Sequence, residues 1–243
     1  MGIYACSDIH GNLAIAQQIV DIANDGNTVY FLGDACDRGE YGWEIIKMFL
    51  RTENIVYLMG NHEDMLIKAM RPYFYRPEDD RYVFSHAFEV WSWNGNDATF
   101  NSILDDDFEK ASMYFSQLHT LKMFADYTNS KGNKIYMCHS GWEYFLRDEY
   151  HDLKYNEKII WDRNHFFEPH WLGYDNEYMI HGHTPIPYLD EEINPSRESE
   201  ITLGAYQYCE GHKIDIDMLT IVTHRVCLFN LDTFENILLE GEK

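Results

Sequence analysis

Over its first 71 residues the chain alternates short apolar runs with stretches whose apolar residues recur at helical spacing, and this alternation narrows the available folds more than any other feature. "IYAC" (3–6), "TVYFLG" (28–33) and "NIVYLMG" (54–60) read as strands. "LAIAQQIVDIA" (13–23), "YGWEIIKMFL" (41–50) and "EDMLIKAM" (63–70) read as helices, the last predicted to stop at Pro72. Such a repeat predicts an α/β fold with a parallel or mixed sheet and crossover helices. In open sheets of this kind ligands bind beyond the carboxyl ends of the strands. The polar residues that follow each apolar run are therefore the ones to read for function.

Residues 72 to about 130 break the pattern. "PYFYRPEDDRYVFSHAFEVWSWNGNDATF" is crowded with aromatics and lacks clean periodicity, and helical spacing returns only around "FEKASMYFSQLHTL". This predicts one domain over 1–243 with an inserted, aromatic-rich cap at approximately 72–130, its aromatics serving as packing more readily than as a base-stacking platform. Arg71, Arg76 and Arg81 cluster at the cap entrance, with Glu78, Asp79 and Asp80 among them. Strand patterns resume with "KIYMCH" (134–139), "EYMIHGH" (177–183), "HKIDID" (212–217) and the long "TIVTHRVCLFNL" (220–231), while "LDEEINPSRESE" (189–200) reads as a solvated acidic loop.

Five short polar stretches each follow a predicted strand: "SDIHG" (7–11), "GDACDRG" (33–39), "GNHE" (60–63), "CHSG" (138–141) and "HGHTP" (181–185). A given tetrapeptide such as GNHE arises by chance on the order of 10⁻⁵ per position at average composition. The stretches jointly offer Asp8, His10, Asp34, Asn61, His139 and His183, an oxygen- and nitrogen-rich donor set suited to hard or borderline divalent cations. A site for two metal ions is the natural expectation.

In order and content this set resembles the calcineurin-like metallophosphoesterases, specifically the PPP-type serine/threonine protein phosphatases with their bacterial and lambda-phosphatase-like members. The full "GDxxDRG" followed by "GNHE" carries the likeness to that branch. The resemblance implies an αββα sandwich of four layers with two mixed sheets. It implies one metal on Asp8, His10 and Asp34 and a second on Asp34, Asn61, His139 and His183, Asp34 bridging, with manganese first and iron, zinc or magnesium as alternatives. A carboxylate can lend one oxygen to each of two cations, and such a pair can hold a hydroxide for in-line attack on phosphorus. The resemblance further makes His62 the acid for the leaving oxygen, Asp37 its orienting partner and Arg38 a clamp on phosphate oxygens. "IIWDRNHF" (159–166) is similar to a bacterial segment that supplies a second arginine, here Arg163, and "WSWNGNDATFNS" (91–102) to one at the active-site rim. His181, two residues before His183, is expected either near the metals or in a supporting position.

The expected activity is hydrolysis of phosphate esters, with a phosphoprotein side chain as substrate and a dinucleoside polyphosphate such as diadenosine tetraphosphate as the alternative. A non-catalytic metal-binding scaffold is the third reading, disfavoured because His62, Asp37 and Arg38 are all present. Asp plus Glu outnumber Lys plus Arg by 41 to 19, a net charge of −22. That charge speaks against generic nucleic-acid binding and anionic membranes, and a phosphorylated substrate needs the local positive field that cations and arginines would supply. Neither a secretory signal nor a membrane-length apolar run is visible, so the expected location is cytoplasmic. The five cysteines are spread without a CxxC pair and read as reduced packing thiols, Cys36 being the one inside "GDACDRG".

Overall fold

The computed structural model describes residues 1–75, 83, 85–141, 157–167, 170–186 and 204–241. The acidic loop expected at 189–200 lies outside the described residues, as do Arg76, Glu78, Asp79, Asp80 and Arg81.

The chain opens with β1 (Ile3–Cys6), α1 (Leu13–Asn24), β2 (Thr28–Phe31), α2 (Gly42–Arg51) and β3 (Ile55–Tyr57). These strands pair in parallel, β1 with β2 and β2 with β3. The last strands, β9 (Arg225–Asn230) and β10 (Asn236–Glu240), join antiparallel on the far side of β1, giving a mixed five-stranded sheet in the order β10-β9-β1-β2-β3. A second five-stranded sheet, also mixed, follows the order β4-β5-β6-β8-β7 and is built from β4 (Phe124–Thr128), β5 (Lys134–Cys138), β6 (Glu177–His181), β7 (Tyr206–Tyr208) and β8 (Lys213–Asp215).

The period-two alternation of a strand decides which layer each side chain enters. Ala5, Cys227, Phe229, Ile135, Met137, Ile180 and Ile214 form a core between the two sheets. Their neighbours Cys6, Val29, Phe31, Val226 and Leu228 point the other way, against Ile15, Ile19, Trp43 and Phe49 of α1 and α2. On the outer face of the second sheet, Tyr136, Cys138 and Met179 pack on Ile159 of the short helix α7 (Lys158–Trp161). Helices therefore flank a pair of mixed sheets. Fully burying residues of this size contributes about 1.5–3 kcal/mol each, which is why both faces of these short strands are apolar.

Between β3 and β4 the chain forms α3 (Asn61–Tyr75), α4 (His86–Trp93), α5 (Asp97–Asp105) and α6 (Phe108–Leu118). Here the structure corrects the expectation that Pro72 ends α3: Pro72 lies inside the helix. The missing N–H is offset by packing, because Tyr73 meets Phe108 edge to face and Phe74 stacks on Phe115 at 4.2 Å between centroids. The strand expected over 220–231 is also corrected. Its first residues form α9 (Thr220–Thr223) between Leu219 and His224, both left-handed, and the Thr220 and Thr223 hydroxyls donate to the carbonyls of Arg225 and Met218. No helix among the described residues is long and apolar enough to cross a membrane. One further short helix, α8 (Asn164–Phe167), follows α7.

Candidate metal centre and its surroundings

The segments that leave the carboxyl ends of β1, β2, β3, β5 and β6 carry Asp8 and His10, then Asp34, Asp37 and Arg38, then Asn61 and His62 in the first turn of α3, then His139, then His183. The loops lock together through their backbones. Asp8, His10 and Gly11 N–H donate to the carbonyls of Gly33, Asp34 and Ala35, and Gly182 N–H donates to that of His139. Asp8, His10, Asp34, Asp37, Arg38 and His183 all have positive φ, between 42° and 70°. Each non-glycine residue held there costs on the order of 1 kcal/mol or more, so the surrounding hydrogen bonds must over-determine these turns. Gly33, with φ of 104°, needs no such help, and a Cβ on it would collide with the backbone of Gly60.

Glu63 ties two of the loops together. Its buried carboxylate accepts from the N–H of Asp34 (2.8 Å), Ala35 (2.8 Å) and Gly60 (2.9 Å) and from the Tyr57 hydroxyl (2.8 Å). Burial pushes this carboxyl above its usual range, together with the charge of Asp34, while the donors pull it back. Sequence reasoning singled out the motif containing Glu63 without giving the residue a role.

The donor atoms converge. His139 Nε2 and His183 Nδ1 lie 2.8 and 3.0 Å from Asn61 Oδ1, and His139 Nε2 lies 3.4 Å from Asp34 Oδ1. The other Asp34 oxygen lies 3.7 Å from His10 Nε2, which is 4.0 Å from Asp8 Oδ1. Asp34 thus turns one oxygen toward each cluster. His10 and His139 both donate Nδ1–H to a backbone carbonyl, of Cys36 at 3.0 Å and Leu32 at 2.9 Å, and this leaves Nε2 to face the cluster. A histidine held this way is oriented as a metal ligand is, with its tautomer fixed from behind. Asp8 also accepts from the His183 N–H and the Ser7 hydroxyl. Burial and the neighbouring Asp34 raise the Asp8 carboxyl, and burial with Asp8 raises that of Asp217. Buried carboxylates pressed together with converging imidazoles fit divalent cations, which would relieve the crowding of negative charge.

His62 sits beside these groups, its Nδ1 2.8 Å from Asp37 Oδ2 and its Nε2 3.8 Å from Asp34 Oδ2. Burial opposes its protonation, but Asp34 and Asp37 outweigh that and raise its pKa above the usual value. His10, Asp34 and His62 could also hold an ion as a trio, as could Asp8, Asp34 and His139. Arg38 Nη1 and Nη2 lie 3.1 and 3.0 Å from His10 Nε2 and His62 Nε2. In front lies a cavity of about 130 Å³ lined by Asp34, Arg38, Asn61, Asn94, Trp161, Arg163 and His183.

His181 is not among them. The strand ends at His181 and His183 is left-handed, so the two rings part; His181 Nε2 pairs with the Tyr208 hydroxyl at 2.7 Å and the ring packs on Phe166. Burial lowers its pKa to about 3. Cys36 is buried, and burial with Asp37 and Glu63 pushes its thiol well above 9.0, an inert setting.

His139 gives a pH test. Burial would lower its pKa, but Asp34 and Asp8 raise it from 6.5 to about 9. A raised folded-state value contributes stability that is complete below pH 6.5 and lost as pH rises through about 9. The thermal midpoint of chelator-treated protein should therefore fall across that window. With added Mn²⁺ the midpoint should rise relative to chelator as pH increases, because a ligating His139 must give up its proton. A metal-induced shift independent of pH would remove His139 from the ligand set.

The family model for calcineurin-like phosphoesterases matches residues 1–215. A serine/threonine-protein phosphatase, rdgC of Drosophila melanogaster, is 32% identical over 105 residues, a match that takes in 37% of this chain and only 16% of that protein's length. Among solved structures, a candidate diadenosine tetraphosphatase aligns over 100% of this chain and 95% of its own with a TM-score of 0.62 at 15% identity. A cold-active protein-tyrosine phosphatase of a Shewanella species aligns over 97% of this chain and 76% of its own (TM-score 0.57, 15% identity). At such identity these likenesses speak for the fold.

Proposed function

The chain belongs to the calcineurin-like phosphoesterases, hydrolases of phosphate esters, and from that premise we propose that it is a PPP-type phosphomonoesterase working with two divalent ions, manganese first among them. The observation that carries this reading is the buried Asp37–His62 pair, 2.8 Å apart, set beside the converging donors and behind Arg38. A binding scaffold would have no use for a desolvated carboxylate aimed at an imidazole next to the ligand cluster.

Asp8, His10 and Asp34 would hold one ion, and Asp34, Asn61, His139 and His183 the other. When bound, the ions supply Lewis-acid stabilisation of phosphoryl oxygens and lower the pKa of water for attack on phosphorus. The remaining chemistry belongs to the chain. The cavity takes the phosphoryl group, and Arg38 and Arg163 offer planar forks to its non-bridging oxygens. Asp37 keeps the His62 ring oriented and favours its imidazolium form, and His62 Nε2 gives its proton to the leaving oxygen. The protein's net charge of −22 makes these cationic groups necessary for an anionic substrate.

The cap's aromatics favour a phosphoprotein or other monoester over a nucleotide, because Phe74, Phe88, Trp91, Phe100 and Phe115 are spent on one another. Hydrolysis of a dinucleoside polyphosphate is the second reading, carried by Trp161, partly exposed at the rim of the cavity. Turnover by Mn²⁺-loaded protein on an aryl phosphate, a phosphopeptide and diadenosine tetraphosphate separates them. Fast phosphopeptide cleavage supports the proposal, faster tetraphosphate cleavage gives the site to nucleotides, and silence on all three with metal bound overturns both. We further propose a single domain over 1–243 with the cap inserted at approximately 72–130, and a cytoplasmic location.

A further inference from the structure

We infer that Trp91, contributed by the α4–α5 unit, is a positioning residue for the proton donor and acts through Asp37; this rests on His62 being the acid proposed above. Trp91 is fully buried, and its indole Nε1–H donates to Asp37 Oδ2 at 2.8 Å. The same oxygen accepts from His62 Nδ1 at 2.8 Å. A carboxylate with one partner can swing about its last torsion and carry that partner with it. Two donors converging on one oxygen fix where that oxygen stands, and hence the plane in which the imidazole is held.

The rest of the unit grips the same turn. Asp37 N–H donates to Thr99 Oγ1 of α5 at 3.0 Å, and Arg38 N–H donates to the Gly95 carbonyl, between the two helices, at 2.8 Å. Asp37 and Arg38 have φ of 66° and 65°, so three hydrogen bonds from one supersecondary unit secure two consecutive residues in a sparsely populated conformation. Trp91 itself is set edge-on against Phe88 and Phe100, at 5.9 and 6.3 Å between centroids. Packing alone would be served by a ring without a donor. A buried indole N–H needs an acceptor, and here it is spent on the carboxylate that orients the imidazole.

The test is Trp91→Phe, which keeps a ring and deletes the donor. Metal content should match wild type and KM should stay within about twofold. The kcat should fall about tenfold on an alkyl phosphate and much less on p-nitrophenyl phosphate, whose acidic leaving group needs little protonation. In an Asp37→Asn background Trp91→Phe should add almost nothing, since its partner is already altered. Equal loss on both substrates, or full additivity with Asp37→Asn, would make Trp91 mere packing and overturn the inference. His62→Ala separates this failure from that of the underlying reading: if it too loses equally on both substrates, the acid role falls and Trp91's role with it. If His62→Ala shows the leaving-group dependence and Trp91→Phe does not, only the inference about Trp91 falls. Should Trp91→Phe not fold, Phe100→Leu loosens the indole from behind and is expected to shift the leaving-group dependence in the same direction by a smaller factor; an unchanged dependence there overturns the inference.

Discussion

Asp34→Asn is expected to cost at least one bound metal ion per chain and to lower kcat by on the order of 10³, the equivalent of several kcal/mol of Lewis-acid stabilisation. Asp34 presents Oδ1 to the His139 and Asn61 side of the site and Oδ2 to the His10 side. Asparagine keeps one acceptor oxygen and replaces the other with a donor, so whichever way its amide turns, one cluster meets N–H groups instead of a lone pair. The backbone N–H of Asp34 still reaches Glu63, so the loop should keep its place. Metal analysis after dialysis, beside kcat, checks this. Wild-type metal content together with wild-type turnover would show that Asp34 bridges nothing.

That Asp34 could be singled out from the sequence follows from where the fold puts chemistry. The apolar run 134–139 is buried on both faces beyond Lys134 and 28–31 alternates buried with half-buried residues, so the ends of both are legible, and polar residues just past those ends fall at the sheet edge. The structure brings Asp8, His10, Asp34, Asn61, His139 and His183 to that edge together, with Asp37, Arg38, His62 and Arg163 around them.

What the sequence hid is non-local. Glu63 looks like an ordinary first-turn acid of α3 until the N–H groups of Asp34 and Ala35, about thirty positions earlier, are found on it. Trp91 and Thr99 look like cap residues, yet their polar atoms are spent on Asp37. Local propensity also misled where packing overrode it, at Pro72 inside α3. It misled again where two left-handed residues broke an apolar run, at Leu219 and His224. Of the two positions expected for His181 it takes the supporting one, because the strand stops on it. For Glu63, Trp91, Thr99 and Pro72 the deciding partner lies on another element, and no short window of the sequence contains both.

His62→Ala should bind metal as wild type does and yet lose about 10²–10⁴ in kcat on alkyl phosphates, with a far smaller loss on p-nitrophenyl phosphate. The imidazole lies outside the His139, His183 and Asn61 cluster, held by Asp37 and Arg38, so its removal leaves those ligands in place. An alkoxide departing without a proton is a poor leaving group, whereas a nitrophenolate departs readily. The substrate dependence therefore reports proton donation and not general damage to the site. Asp34→Asn removes metal and should depress both substrates alike, so the two variants fail in different ways if the assignments are right. His10 and Asp34 approach His62 closely enough for it to serve as a ligand instead. In that event His62→Ala would lose metal, its loss would no longer depend on the leaving group, and the acid would have to be sought elsewhere around the cavity.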